Sequence, residues 1–131
     1  MQWKVQAGYQ YTRKHEWMNV EGNTVSAGLT DYAQDMLKDI VYVELPEVGR
    51  KLTAGEGFAV IESVKAVSDC YSPVDGVVVA VNEALLDQPE LLNQDPYGEG
   101  WIVKIEVDAG YENSDLMSDE EYTGYLQKES A

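Results

Sequence analysis

Apolar and polar positions alternate or recur along this chain in a way that predicts many short strands and a few short helices. Glu16 to Glu21 and Thr24 to Leu29 read as two strands of a hairpin joined by Gly22-Asn23, a pair suited to a two-residue turn. A helix follows, with Thr30 as its N-cap and Asp31 complementing the first-turn dipole. Ala33, Met36, Leu37 and Ile40 recur at helical spacing and predict one apolar stripe. Ile40 to Leu45 reads as a strand because it is β-branched and aromatic, and Pro46 ends it.

The middle of the chain is dense in short β segments separated by turn chemistry. Phe58 to Ser63, Ala66 to Tyr71 and Val77 to Val81 read as strands, with Ala54-Gly55-Glu56-Gly57 and Ser72-Pro73-Val74-Asp75-Gly76 between them. That spacing predicts a compact sandwich or barrel. Pro89 to Asn93 reads as one helical turn and Trp101 to Val107 as the last strand. Ser118 with Glu121 forms a capping box for a final helix that packs Tyr122, Tyr125 and Leu126.

At 131 residues the chain suits one domain with a real core and is short for two. We expect residues 1–131 to form that single domain, with a core over about 9–107 and an acidic helical tail over 108–131. A hydrophobic fraction of 44% argues against disorder, and no run approaches the roughly 18 apolar residues of a membrane helix. Met1 to Gly8 has neither the apolar core of a signal peptide nor an Arg/Ser-rich transit pattern. The expected location is cytoplasmic, or the mitochondrial matrix if a transit peptide has been removed. The net charge of −15 opposes nucleic acid and anionic membrane surfaces and favours protein partners with basic docking faces. A monomer is expected.

One Cys70 and one His15 leave no disulfide and no Cys/His metal cluster. No twelve-residue calcium loop is present. A Ser/His/Asp triad would have to use His15, and no Gly-x-Ser-x-Gly elbow is present. His15, beside Trp17 at a strand start, reads as a structural or docking residue, and Cys70 as a buried, inert thiol. Gly55 and Gly57 lack the lysine and helix that a phosphate loop requires. No catalytic residue and no metal site are assigned.

Between Lys51 and Lys104 the only basic residue is Lys65, standing among Glu56, Glu62, Asp69, Asp75 and further carboxylates. It falls between two strand-like segments, with Val64-Lys65 as the natural hairpin tip. Tight two-residue tips favour Asn-Gly or Asp-Gly, and a β-branched Val is strained at positive φ. Such a tip is expected where a projecting amine is wanted. Turn chemistry alone also fits an ordinary solvated lysine on an unprimed turn.

Glu62-Ser63-Val64-Lys65-Ala66, then Ser68-Asp69 and Ser72-Pro73-Val74-Asp75-Gly76, resembles the lipoylation segment of the glycine cleavage H-protein family. The same resemblance runs through Tyr11 to Trp17, Gly28-Leu29-Thr30, Asp39 to Pro46, Pro89 to Asn93, Pro96-Tyr97 and Gly100-Trp101. Lys38 stands where that family usually has Gly after the helix, and Met1 to Gly8 matches no part of its pattern. Biotin carriers have Met on both sides of their lysine, whereas Val64 and Ala66 flank Lys65. Lipoyl domains of 2-oxo-acid dehydrogenases resemble the hairpin but lack the front end and the C-terminal helix.

The resemblance implies a mainly β fold, a lipoyl/biotinyl-type β-sandwich (barrel-sandwich hybrid) with an N-terminal hairpin and short helices, including a C-terminal one. Val60, Val77, Val79, Ile102 and Ile105 are expected to be buried and Lys65 exposed. The implied function is that of a lipoyl carrier, not an enzyme, with lipoate in amide linkage to Lys65. That arm would take an aminomethyl group from a pyridoxal-phosphate glycine decarboxylase to a tetrahydrofolate-dependent aminomethyltransferase. An FAD-dependent dihydrolipoyl dehydrogenase would then reoxidise it. Lipoate-attaching enzymes complete the expected partners. Glu16, Ser68 and Asp69 are candidates for a pocket receiving the loaded arm, since an ammonium seeks carboxylates and hydroxyls. A lipoyl domain serving a 2-oxo-acid dehydrogenase or lipoate distribution, and an unmodified acidic protein-binding β domain, stay open as alternatives.

Overall fold

The computed structural model describes residues 3–107 and 116–129. Two sheets carry the architecture. Strands β1 (Gln10–Tyr11), β2 (Glu16–Glu21), β3 (Thr24–Leu29), β5 (Lys51–Leu52), β8 (Gly76–Val81) and β9 (Val103–Glu106) form one, in the order β1-β2-β3-β9-β8-β5. β4 (Ile40–Glu44), β6 (Gly57–Ser63) and β7 (Val67–Tyr71) form the other, in the order β4-β6-β7. Every strand pair is antiparallel.

The β2–β3 hairpin closes at Glu21↔Thr24, and Gly22 takes φ +64°. Positive φ at the first loop position alone is the type II′ geometry, which suits the twist of the two strands. Helix α1 (Asp31–Leu37) starts as expected, Thr30 Oγ1 accepting from the Ala33 amide at 3.2 Å. Its apolar stripe is narrower than expected: Ala33 and Leu37 pack against the core, whereas Met36 is 38% exposed and Ile40 already belongs to β4.

Helix α1 ends abruptly at Lys38, with φ 68° and ψ −150°. That conformation is comfortable only for glycine. Helix α3 (Leu91–Gln94) lies where a helical turn is expected, while α2 (Ala84–Asp87) has no counterpart in the sequence reading.

The core lies between the sheets, with Val25, Val43, Ile61, Val74, Val78, Ile102 and Ile105 at 1% exposure or less. Ile102 and Ile105 are therefore buried as expected. Val60 and Val77 are only half-buried and Val79 is 42% exposed, against expectation. Their neighbours Ile61 and Val78 point inward instead. In β8 the run Val77-Val78-Val79 is apolar throughout, so composition does not reveal which parity faces the core.

A second, aromatic cluster joins Tyr11, Trp17, Tyr97, Met117, Tyr122 and Leu126. Helix α4 (Asp119–Glu129) enters it, with Tyr122 stacked on Tyr11 at 4.4 Å between centroids. The capping box forms: Ser118 N donates to Glu121 Oε1 and Glu121 N to Ser118 Oγ. The rest of the expected tail, residues 108–115 and 130–131, lies outside the described residues.

The segment before β1 is built into the same cluster. Trp3 packs edge-on against Tyr32 and donates from Nε1 to Asp35 at 2.9 Å. Tyr97 Oη donates to Lys4 O, and Tyr11 Oη to Gln6 O. Among the described residues no helix is long and apolar enough to cross a membrane.

Candidate functional site

Lys65 sits at the tip between β6 and β7, exposed and with no ion pair among the described residues. The tip is held by Ser63. Its backbone N donates to Ala66 O at 2.8 Å, while its Oγ accepts from the amides of Lys65 at 3.1 Å and Ala66 at 3.0 Å. The Val64 amide donates to Asp39 O, anchoring the tip to the chain just before β4. Neither Val64 nor Lys65 has positive φ. The strain expected of a β-branched residue at the tip is therefore absent, because the turn is unprimed and the Ser63 hydroxyl supplies bonds that a primed turn would find in the backbone.

Glu16 opens β2 and is only 3% exposed. Thr12 Oγ1 donates to its Oε1 at 2.6 Å and the Tyr71 amide to its Oε2 at 3.0 Å. Burial pushes its carboxyl up to about 7, with the Thr12 and Tyr71 bonds and the nearby Lys14 charge pulling the other way. Through Tyr71 this side chain ties the six-stranded sheet to the end of β7. It also lines a cavity of about 510 Å³ together with Thr12, Lys14, Tyr71, Ser72 and Asp75. Lys14 Nζ stands 3.7 Å from the Tyr71 ring centroid, a cation–π contact.

Ser68 and Asp69 follow the tip but do not line that cavity. Adjacent strand residues point to opposite faces. Ser68 pairs with the buried Ile61 and is half-buried, while Asp69 pairs with Val60 and is exposed. The structure thus brings Glu16, not Ser68 or Asp69, to the cavity; Ser68 and Asp69 lie within β7, and the Glu16 carboxylate, from β2, accepts from the amide of its last residue, Tyr71.

His15 takes φ 68° in the turn before β2. Its Nδ1 lies 2.9 Å from Tyr122 Oη, which lies 2.8 Å from Thr30 Oγ1. Its ring packs on Tyr32, and burial lowers its pKa. This is a structural role joining α4 to the cap of α1. Cys70 is 1% exposed and burial raises its thiol well above the usual range, which leaves it inert.

Comparison with known proteins agrees with this arrangement. The family model described as glycine cleavage H-protein matches residues 9–129. The glycine cleavage system H protein of Halothermothrix orenii is 58% identical over 118 residues, covering 90% of this chain and 92% of that protein. That of Thermus thermophilus is 54% identical over 120 residues, covering 92% and 94%. The crystal structure of a glycine cleavage system H protein from Mycobacterium marinum superposes with a TM-score of 0.84 at 34% identity, covering 97% of this chain and all of that one. The Ser63-held tip, the mainly β two-sheet fold and these likenesses over nearly the whole length agree: the chain belongs to the glycine cleavage H-protein family.

Proposed function

We propose that Lys65 carries lipoate as an amide and that the chain is the mobile carrier of the glycine cleavage system, without a catalytic step of its own. The observation that supports this most is an exposed amine at a tip whose backbone is held by Ser63. Acylation of Nζ removes a charge that pairs with nothing among the described residues. The fold therefore tolerates the modification.

When bound, the dithiolane supplies a disulfide that is opened by a one-carbon unit and closed again by oxidation. The chain's own residues position and shelter. Lysine stem and lipoyl chain together reach roughly 14 Å at about 1.25 Å of projected length per bond, far enough to enter partner active sites. The tether raises the local concentration of the carried group there.

β7 leads from the tip to Tyr71, which Glu16 holds. An arm laid along that strand is aimed toward Glu16 and the cavity, with Ser68 and Asp69 on opposite faces of the strand between. There a cationic nitrogen meets a carboxyl. The cation pulls the Glu16 pKa down and Glu16 in turn keeps the proton on the nitrogen, so its lone pair is not free to expel the neighbouring sulfur. The partners are those of the family's reaction: a glycine decarboxylase, an aminomethyltransferase, a dihydrolipoyl dehydrogenase and a lipoate-attaching enzyme. The chain is one domain working in the compartment that holds them.

Peptide mapping of the chain isolated from its own cell tests the reading. Lipoate on Lys65 alone is expected, and lipoate on Lys51 or Lys104 instead would overturn it. Lys65→Arg should fold within about 0.5 kcal/mol of the parent, as exposed changes do, yet carry no lipoate, since guanidinium does not form the amide.

A further inference from the structure

Ser63 shapes the tip through bonds that stay within residues 63–66. Where the tip stands on the protein is a separate matter, and the Asp39–Ile40 peptide bears on it. The carbonyl of that peptide, Asp39 O, accepts from the Val64 amide at 3.0 Å. Its N–H, on Ile40, donates to Asn93 Oδ1, also at 3.0 Å. A trans peptide is planar, with its N–H and C=O pointing opposite ways. A side chain of α3 and an amide of the lysine tip thus grip the two ends of one rigid unit.

This end of β4 needs such a grip. Ile40 pairs with Ser63, but the β4–β6 register shifts between Ile40 and Tyr42, and an irregular ladder fixes a strand end less firmly than a regular one. Just before it, Lys38 stands at φ 68° and ψ −150°, which a lysine holds only when its surroundings impose it. Asn93 supplies that constraint as well. Its Nδ2 donates to Lys38 O at 2.8 Å and to Gln34 Oε1 at 2.9 Å. The half-buried amide therefore brackets Asp39 from both sides, with Lys38 O before it and Ile40 N after.

We propose that Asn93 is the positioning residue of the lysine tip, setting through the Asp39–Ile40 peptide where Val64, and with it Lys65, stands on the domain. Its functional side rests on Lys65 being the attachment site. Asn93 acts on acyl transfer by placement alone. In that step neutral Lys65 Nζ attacks the carbonyl carbon of a lipoyl adenylate. The C–N bond forms, the bond from that carbon to the phosphate oxygen breaks, AMP leaves with the electron pair, and the amine's extra proton passes to solvent. A displacement of about 1 Å slows such an attack without weakening the encounter, so the effect falls on kcat rather than KM.

The test uses the full, unlipoylated chain. Asn93→Leu keeps the volume and removes the bonds to Ile40, Lys38 and Gln34, whereas Asn93→Asp keeps an acceptor for the Ile40 amide. Asn93→Ser, polar but too short, reads the same loss should Asn93→Leu not fold. Asn82→Ala is the control, since Asn82 donates to Glu99 O and Trp101 O and not to residues 38–40 or 63–66. Hydrogen exchange at the Val64 amide should be about tenfold faster in Asn93→Leu, and parent-like in Asn93→Asp and Asn82→Ala. With ATP, lipoate and a lipoate-attaching enzyme, kcat for acylation of Lys65 should fall about tenfold in Asn93→Leu at unchanged KM. Asn93→Asp should restore it. Parent-like Val64 exchange in both Asn93→Leu and Asn93→Ser, or an equal acceleration in Asn82→Ala, overturns the positioning role whatever the enzyme does. A parent chain that is never acylated at Lys65, with Val64 exchange still dependent on Asn93, overturns the attachment reading and leaves the hold on the tip standing.

Discussion

The indole of Trp17 lies against Gly28, its partner across the β2–β3 ladder, so closely that a Cβ on Gly28 would stand 2.9 Å from three atoms of the ring. The ring is pinned in that position, because Nε1 donates to Pro96 O at 2.8 Å and Tyr9 packs on it at 5.0 Å. Gly28→Ala should therefore cost about 2 kcal/mol, in the range of overpacked cores. The urea midpoint measures it, and an unchanged midpoint would mean that the ring yields freely.

Lys38 ends α1 in a conformation made for glycine. Relieving strain of roughly 1–3 kcal/mol outweighs both the added flexibility of the unfolded chain and the loss of a half-exposed 3.5 Å pair with Asp35. Lys38→Gly should raise stability by about 1 kcal/mol. Lys38→Ala keeps the strain and should not, which separates backbone relief from removal of charge.

Trp3 fastens the leading segment to α1 through Tyr32 and Asp35. Its partial burial suggests that Trp3→Ala costs about 2 kcal/mol, with part of the near-ultraviolet circular dichroism of the aromatic cluster lost as well. Equal stability and an unchanged near-ultraviolet signal would show that the segment is merely laid on the surface.

Glu16 titrates at about 7 in the fold because it is buried, above its ordinary value of 4.5. The folded chain then binds more protons than the unfolded one between those two pH values. Stability is greatest below about 4.5 as far as this group is concerned, and falls as pH rises through about 7. The difference is on the order of 3 kcal/mol. Glu16→Gln should flatten that slope, with denaturant unfolding at pH 5 and pH 8 as the measurement. The same variant, once aminomethylated on its arm, should release ammonia or formaldehyde faster than the parent in the absence of partner enzymes, with lipoylation of Lys65 unaffected.

What could be read along the chain was what neighbours in sequence decide. Gly22-Asn23, the Thr30 cap and the Ser118–Glu121 box each act over a few residues, and each forms as read. The parity of Val77 to Val79 was hidden, because an apolar run has no alternation to read. Helix α2 is a single short turn without a capping bond, so it left no signal. At the site, Lys65 was marked by its isolation among carboxylates and by family resemblance. Ser63 was not singled out in the sequence, although a serine beside a tight turn can offer its oxygen to local amides. The bond from Glu16 to Tyr71 spans 55 residues. The docking of residues 3–8 likewise depends on partners far along the chain, and no local pattern announces either.

The turn at Lys65 is wired by the residue before it, so the shape of the loop is indifferent to what residues 64 and 65 carry. Folding and chemistry are insulated from one another at this spot. With Lys65 as the attachment site proposed above, this loop would keep its shape before modification, through loading and discharge, and through exchange of the side chains beside the amine.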